Sequence, residues 1–256
     1  MVVEWTSRRA RKVEGPEAGS TWWAPRARGW WIGVLFAIGS FCFAIGSVPW
    51  YVDAVGAATA DTTFFVGSLF FTTAAFLQFK EAGDAADRHH VQVTGRHRAR
   101  WRVLAWAPER IDWWATAIQF VGTLFFNWTT FAALRTSLDV QEEVRRVWAP
   151  DAIGSIAFLV ASFFAWGEAG HAWLSWRPRD AGWRIAGINL LGSIFFGISA
   201  VGAFIDPSTG EVANVSAATV GTFLGALCFL AGGLMLLPER TASTSTSNGN
   251  GGPDGD

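Results

Sequence analysis

Residues 30–50 read WWIGVLFAIGSFCFAIGSVPW, a run with no charged side chain and a tryptophan at each end. A helix rises about 1.5 Å per residue, so this run spans roughly 30 Å, the thickness of a bilayer's hydrocarbon layer. Further uncharged runs cover residues 62–79, 113–134, 152–167, 185–205 and 212–237. The run at 152–167 reaches spanning length only if its helix continues past Glu168 and His171 toward Trp176. With 51% hydrophobic and 16% charged residues, clustered in this way, a soluble core is excluded. The expected fold is all-α, a polytopic membrane protein with six transmembrane helices.

Sixteen tryptophans lie mainly at the ends of these runs: Trp30, Trp31, Trp50, Trp113, Trp114, Trp148, Trp173, Trp176 and Trp183. They read as two aromatic belts, where an indole rests at headgroup level. Basic residues set the orientation. Seventeen of the 20 Lys and Arg fall before the first run, between the second and third, between the fourth and fifth, or after the sixth. Only Arg135, Arg145 and Arg146 lie on the other side. By the positive-inside rule both termini are cytoplasmic in the cell membrane, and the near-neutral net charge of −1 hides this asymmetry. No secretory signal is apparent ahead of the first run, which is expected to act as an uncleaved anchor. Cys42 and Cys228 lie inside predicted helices, make no disulfide or metal spacing, and read as packing residues.

The runs repeat. The first, third and fifth carry Trp30, Gly39, Ser40 and Phe43; Trp113, Gly122, Thr123 and Phe126; Trp183, Gly192, Ser193 and Phe196, at the same offsets. The second, fourth and sixth carry the small pairs Gly67 and Ser68, Gly154 and Ser155, Gly221 and Thr222. Glu81 and Glu168 follow their glycines at one common distance and share a Glu-Ala-Gly-x-Ala string. This order predicts three parallel two-helix hairpin repeats packed on their small residues, since a missing side chain lets a neighbouring backbone approach. The predicted organisation is a basic N-terminal segment (1–29), hairpin 1 (30–80), a basic cytoplasmic loop (81–110), hairpin 2 (111–176), a short basic loop (177–182), hairpin 3 (183–238) and a disordered tail (239–256).

The strings WIGVLFAIGSFCFAIGSVPWY (31–51) and TFFVGSLFFTTAAFLQF (63–79) resemble the YrhK-like domain, a two-helix bacterial membrane module. QFVGTLFFNWTT (119–130) and WAPDAIGSIAFLVASFFAW (148–166) resemble the continuation in its longer members. The resemblance covers roughly residues 30–238 and implies a membrane location alone, with no catalytic or binding residues to carry over.

Polar residues within the runs are where function is sought first. Thr116, Gln119, Thr123, Asn127 and Thr130 recur at helical spacing and form one stripe on the third run. The stripe reads as interhelical hydrogen-bond glue in preference to the wall of a solute path, with Asn189 and Ser193 as candidate partners. Glu168 and His171 have the Glu-x-x-His spacing of di-iron bundles, but with Glu81 they are expected at the inner interface as solvated groups, without metal. Asp61 or Thr62, Asp151, and Asn214 or Ser216 are read as caps of the inward-running helices. The loop with His89, His90, His97, Trp101 and Trp106 among its arginines is expected to meet anionic lipid headgroups, not nucleic acid. No phosphate loop, nucleophile elbow or zinc helix occurs, so no cofactor and no enzyme activity are expected. The preferred reading is a non-enzymatic scaffold or accessory protein in the lipid bilayer, with protein partners unassigned. A transporter or channel for a small neutral or weakly charged solute is the alternative. A membrane-embedded enzyme or metal protein is third.

Overall fold

The computed structural model describes residues 20–97, 100–101, 104–135, 138–171 and 176–240. The expected disordered tail beyond Arg240 and the belt position Trp173 lie outside these residues. Seven helices are described: α1 (Arg28–Gly46), the short α2 (Pro49–Val55), α3 (Ala57–Thr94), α4 (Ile111–Ala133), α5 (Val140–Gly170), α6 (Ala181–Gly202) and α7 (Val215–Leu236). Five of them, α1, α3, α5, α6 and α7, are long and apolar enough to cross a membrane. The sixth long helix, α4, has 23 residues but carries Gln119, Asn127 and several threonines.

Each long helix packs along two others, and the contacts run α1–α3–α4–α5–α6–α7 and back to α1. The result is a closed ring. Its centre is filled by phenylalanine in two layers. Phe43, Phe126 and Phe196 form one triangle, with ring centroids 6.4, 6.3 and 5.9 Å apart. Phe71, Phe158 and Phe229 form the second, at 6.1, 5.7 and 5.6 Å. The layers touch within each helix pair: Phe43 lies 5.9 Å from Phe71, Phe126 5.1 Å from Phe158 and Phe196 5.4 Å from Phe229. Edge-on and tilted contacts dominate, as the ring quadrupole favours.

Glycine lets the paired helices come this close. A Cβ on Gly39 would lie 2.9 Å from the Gly67 carbonyl oxygen, one on Gly154 3.2 Å from that of Gly122, and one on Gly225 3.0 Å from that of Gly192. The third crossing therefore uses Gly225 and Ala226, one turn beyond the Gly221 and Thr222 chosen from sequence spacing. Gly221 packs on α6 higher up, against the Phe195 carbonyl and Ser199. Both glycines face α6 because they are four residues apart on one helix.

Three boundaries differ from expectation. Helix α3 does not stop near residue 80 but runs 38 residues to Thr94, about 57 Å by helical rise. The strands β2 (Arg100–Trp101) and β3 (Leu104–Ala105) then fold back on it, Ala105 meeting the space left by Gly83. Half of the expected loop is thus helix. Helix α5 starts at Val140, where the Asp139 side chain accepts from the Glu142 amide. It takes a π turn over Val144–Trp148, because Pro150 offers no amide to the Arg146 carbonyl. Finally, β1 (Ser20–Thr21) pairs antiparallel with β4 (Glu239–Arg240), bringing the two ends of the described chain together.

The tryptophans divide differently from two belts. Trp30, Trp113 and Trp183 are buried, while Trp31, Trp50, Trp106, Trp114 and Trp176 are exposed. The cause is a further repeated string, Trp-x-Pro-x-x-x-x-Trp, at residues 23–30, 106–113 and 176–183. In each copy the segment turns through one backbone hydrogen bond, Ala27 to Ala24, Arg110 to Ala107 and Asp180 to Arg177. The first tryptophan then caps the second edge-on at 5.0, 5.0 and 5.1 Å. Covering by this turn removes the inner indole from the periphery.

Candidate functional site

The ring has a polar chamber at one end of its axis. Where α1 stops and α7 starts, a cavity of about 570 Å³ opens, with Phe43 of the upper phenylalanine triangle in its floor. Every long helix contributes to its wall. Hydroxyls of Ser47, Thr129, Thr130, Ser199, Thr219 and Thr222 line it, and so do the carboxylates of Asp53, Asp61 and Asp151. Most of the hydroxyls already have partners. Ser47 donates to the Phe43 carbonyl at 2.6 Å, Thr129 to that of Val147 at 2.6 Å, and Ser199 to that of Ala218 at 2.7 Å.

The carboxylates do not. Among the described residues, Asp53, Asp61 and Asp151 have no hydrogen-bond or ion-pair partner, although Arg28–Asp84, Arg110–Asp112 and Arg146–Glu142 pairs form elsewhere. Asp61 and Asp151 do not cap their helices, contrary to the expectation from sequence. Helix α3 begins at Ala57, so Asp61 lies a turn inside it; α5 begins at Val140, so Asp151 lies three turns inside it. Neither helix start is capped by these side chains. A carboxylate past the first turn has no free amides to accept from, and both face the chamber instead. Asn214 does cap, accepting from the Ala217 amide at 2.9 Å.

The stripe on α4 turns to the interior. Thr116, Thr123 and Thr130 are buried, and each donates back to a carbonyl of its own helix. Thr130 also meets Ser68 across the α3–α4 contact at 3.0 Å, and the Thr72 hydroxyl donates to the Thr123 carbonyl at 3.3 Å. Asn127 keeps its Oδ1 buried without a partner. Gln119 lies apart from these, in a second, much smaller cavity of about 10 Å³ below the phenylalanines, together with Gln78 and Asn189. The pairs at Gly39 and Ser40, Gly67 and Ser68, Gly122 and Thr123, Gly154 and Ser155, and Gly192 and Ser193 are all buried. Ser193 bonds Ser162 across the α5–α6 contact at 2.8 Å, whereas Ser40 has no partner. Nearby, Gly233 of α7 packs closely on α1, where an added Cβ would lie 3.0 Å from the Ala37 amide.

The two acids and the histidine expected as solvated groups at the inner interface differ in exposure. Glu81 is buried on α3, Glu168 is partly exposed on α5, and His171 is exposed at the end of α5 with φ 54°. This left-handed residue ends the helix, so the Glu-x-x-His spacing does not present both groups on one face. Among the described residues no three His, Cys, Asp or Glu are arranged to hold a metal ion. The chain matches no protein-family model, and no curated protein or solved structure compared with it is similar to it.

Proposed function

We propose that this chain crosses the cell membrane six times as three parallel hairpins, with both termini cytoplasmic, and that its outward-facing chamber receives a small cationic solute. The three triads of matching parts support the repeat: paired glycines, stacked phenylalanines and Trp-x-Pro turns. The basic bias of the sequence supports the orientation, which puts the chamber outside. The observation that carries the solute reading is a cavity of about 570 Å³ lined by three carboxylates with no cation of their own. Small-molecule sites commonly occupy about 300–1,000 Å³ with a few convergent polar groups. Carboxyl groups with no cation of their own favour a positive guest, whose charge they balance when it binds.

A second reading, a scaffold or accessory protein without solute flux, is favoured by the six phenylalanines packed on the axis. On either reading the basic end meets anionic headgroups and no catalysis occurs. Kinship with YrhK-like proteins remains a proposal resting on the hairpin strings alone.

Calorimetry on the purified full chain tests the solute reading with putrescine and choline, and with acetate and glucose as controls. Saturable binding of an amine, weakened at least tenfold in Asp151→Asn and in Asp61→Asn, is the expected result. Absence of saturable binding by either amine would leave the scaffold reading standing alone.

A further inference from the structure

Two turns below the upper phenylalanines, at corresponding places on α1, α4 and α6, stand Phe36, Gln119 and Asn189. Two turns below Phe71 on α3 stands Gln78. These side chains meet on the axis, about 10 Å by helical rise below the upper triangle. Together with Phe229, Gly233 and Leu236 they enclose a cavity of about 10 Å³. That volume is about that of one water-sized guest.

The chemistry of the lining is one-sided. Three carboxamides from three different helices supply it, and no Lys, Arg or His takes part. The Asn189 Oδ1 is buried and accepts no hydrogen bond. It is wedged over Gly232, where an added Cβ would collide with it, so α7 has glycine at the one place that leaves room for the amide. A buried carbonyl oxygen with no donor is costly unless something fills the gap. A ring of such oxygens can replace the hydration shell of an ion. Asp61 and Asp151 stand in the chamber above the cage.

We infer that Gln78, Gln119 and Asn189 form a second, inner site for a monovalent cation of about water's size, such as sodium or ammonium. This rests on the cationic reading of the outer chamber, and it adds to that reading a dehydrated station on the far side of the aromatic plug. The amide oxygens coordinate the ion, and the apolar neighbours exclude any larger guest.

The test is thermal unfolding of the full chain in detergent, titrated with sodium chloride or ammonium chloride. N-methyl-D-glucamine chloride keeps the ionic strength constant and is too large for the cage. A saturable rise in unfolding temperature with the small ion is expected. Its half-saturating concentration should increase at least tenfold in Asn189→Leu and in Gln119→Met, and stay unchanged in Gly197→Ala, whose added Cβ meets nothing within 4 Å. No response in the parent, or an unaltered response in both amide variants, overturns the inner site. A response lost in Asp151→Asn but kept in the amide variants places the ion in the outer chamber, overturning the inner site while the chamber reading stands. Conversely, amide-dependent stabilisation in a chain that binds no putrescine or choline keeps the inner site and removes the chamber reading. A structure in saturating salt with water alone in the cage also overturns the proposal.

Discussion

A single methyl group decides whether two of these helices can touch. A Cβ on Gly154 would sit 3.1 Å from the Phe126 ring and 3.2 Å from the Gly122 carbonyl, whereas one on Gly197 meets nothing within 4 Å. Gly154→Leu should therefore destabilise the fold by about 1–3 kcal/mol, the range for overpacking a tight contact. Gly197→Ala should unfold at the parent's temperature or slightly above, since alanine is the better helix former. Equal melting of parent and Gly154→Leu in detergent would remove the packing role. The opposite error, a void, is tested at Phe158, a completely buried member of the second triangle that also touches Phe126 of the first. Phe158→Ala should cost about 3–5 kcal/mol. Outside the ring, Asp206 receives the Ser208 hydroxyl at 2.6 Å and its amide at 2.8 Å, which holds the carboxyl below its ordinary value of 3.8. A group depressed in this way supports its loop above the ordinary value and loses that support as pH falls through the folded one. An NMR titration should place its midpoint below 3.8, moving upward in Ser208→Ala.

At the scale of elements, the six apolar runs and the glycine crossings of the first two pairs were legible in the sequence, since uncharged length and small residues speak for themselves. The third crossing was not. Gly221 and Gly225 lie on the same face of α7, and spacing admits either; only the fit of Phe229 beneath Phe196 selects Gly225. The acids of the chamber were misread because helix starts are set by tertiary packing. Pro150 resembles a first-turn residue, yet α5 begins ten residues earlier. The Trp-x-Pro turns were legible but overlooked, because tryptophan at a segment end is so readily explained by an interface. They supply an element-scale prediction. Trp113 is buried against Phe79 and Trp106 and donates its indole N–H to the Ala105 carbonyl at 3.0 Å. Its neighbour Trp114 is 42% exposed. Trp113→Ala should lower stability by about 3–5 kcal/mol, as for other buried aromatics. Trp114→Ala should change it by no more than a small fraction of that. If the two variants melt alike, the turn does not clamp its helix.

For the whole molecule, the basic bias and the ring make one joint prediction. Reporter fusions at residue 97, at residue 178 and after Arg240 should all report the cytoplasm, and one at residue 208 the exterior. An exterior signal at 97 would invert the chamber along with everything above it. The pairing of β1 with β4, beside the packing of α7 on α1, has a further consequence. A ring whose first and last members are neighbours has no privileged starting point, so the chain need not be continuous between α5 and α6 provided the third Trp-x-Pro turn stays whole. Chain order is then separable from assembly. A circularly permuted gene that opens the chain ahead of Trp176, leaving the third Trp-x-Pro turn whole, and joins its former ends through a short glycine-serine bridge should yield the same particle. Two plasmids encoding residues 1–175 and 176–256 should do so as well, the halves copurifying through a tag on only one of them.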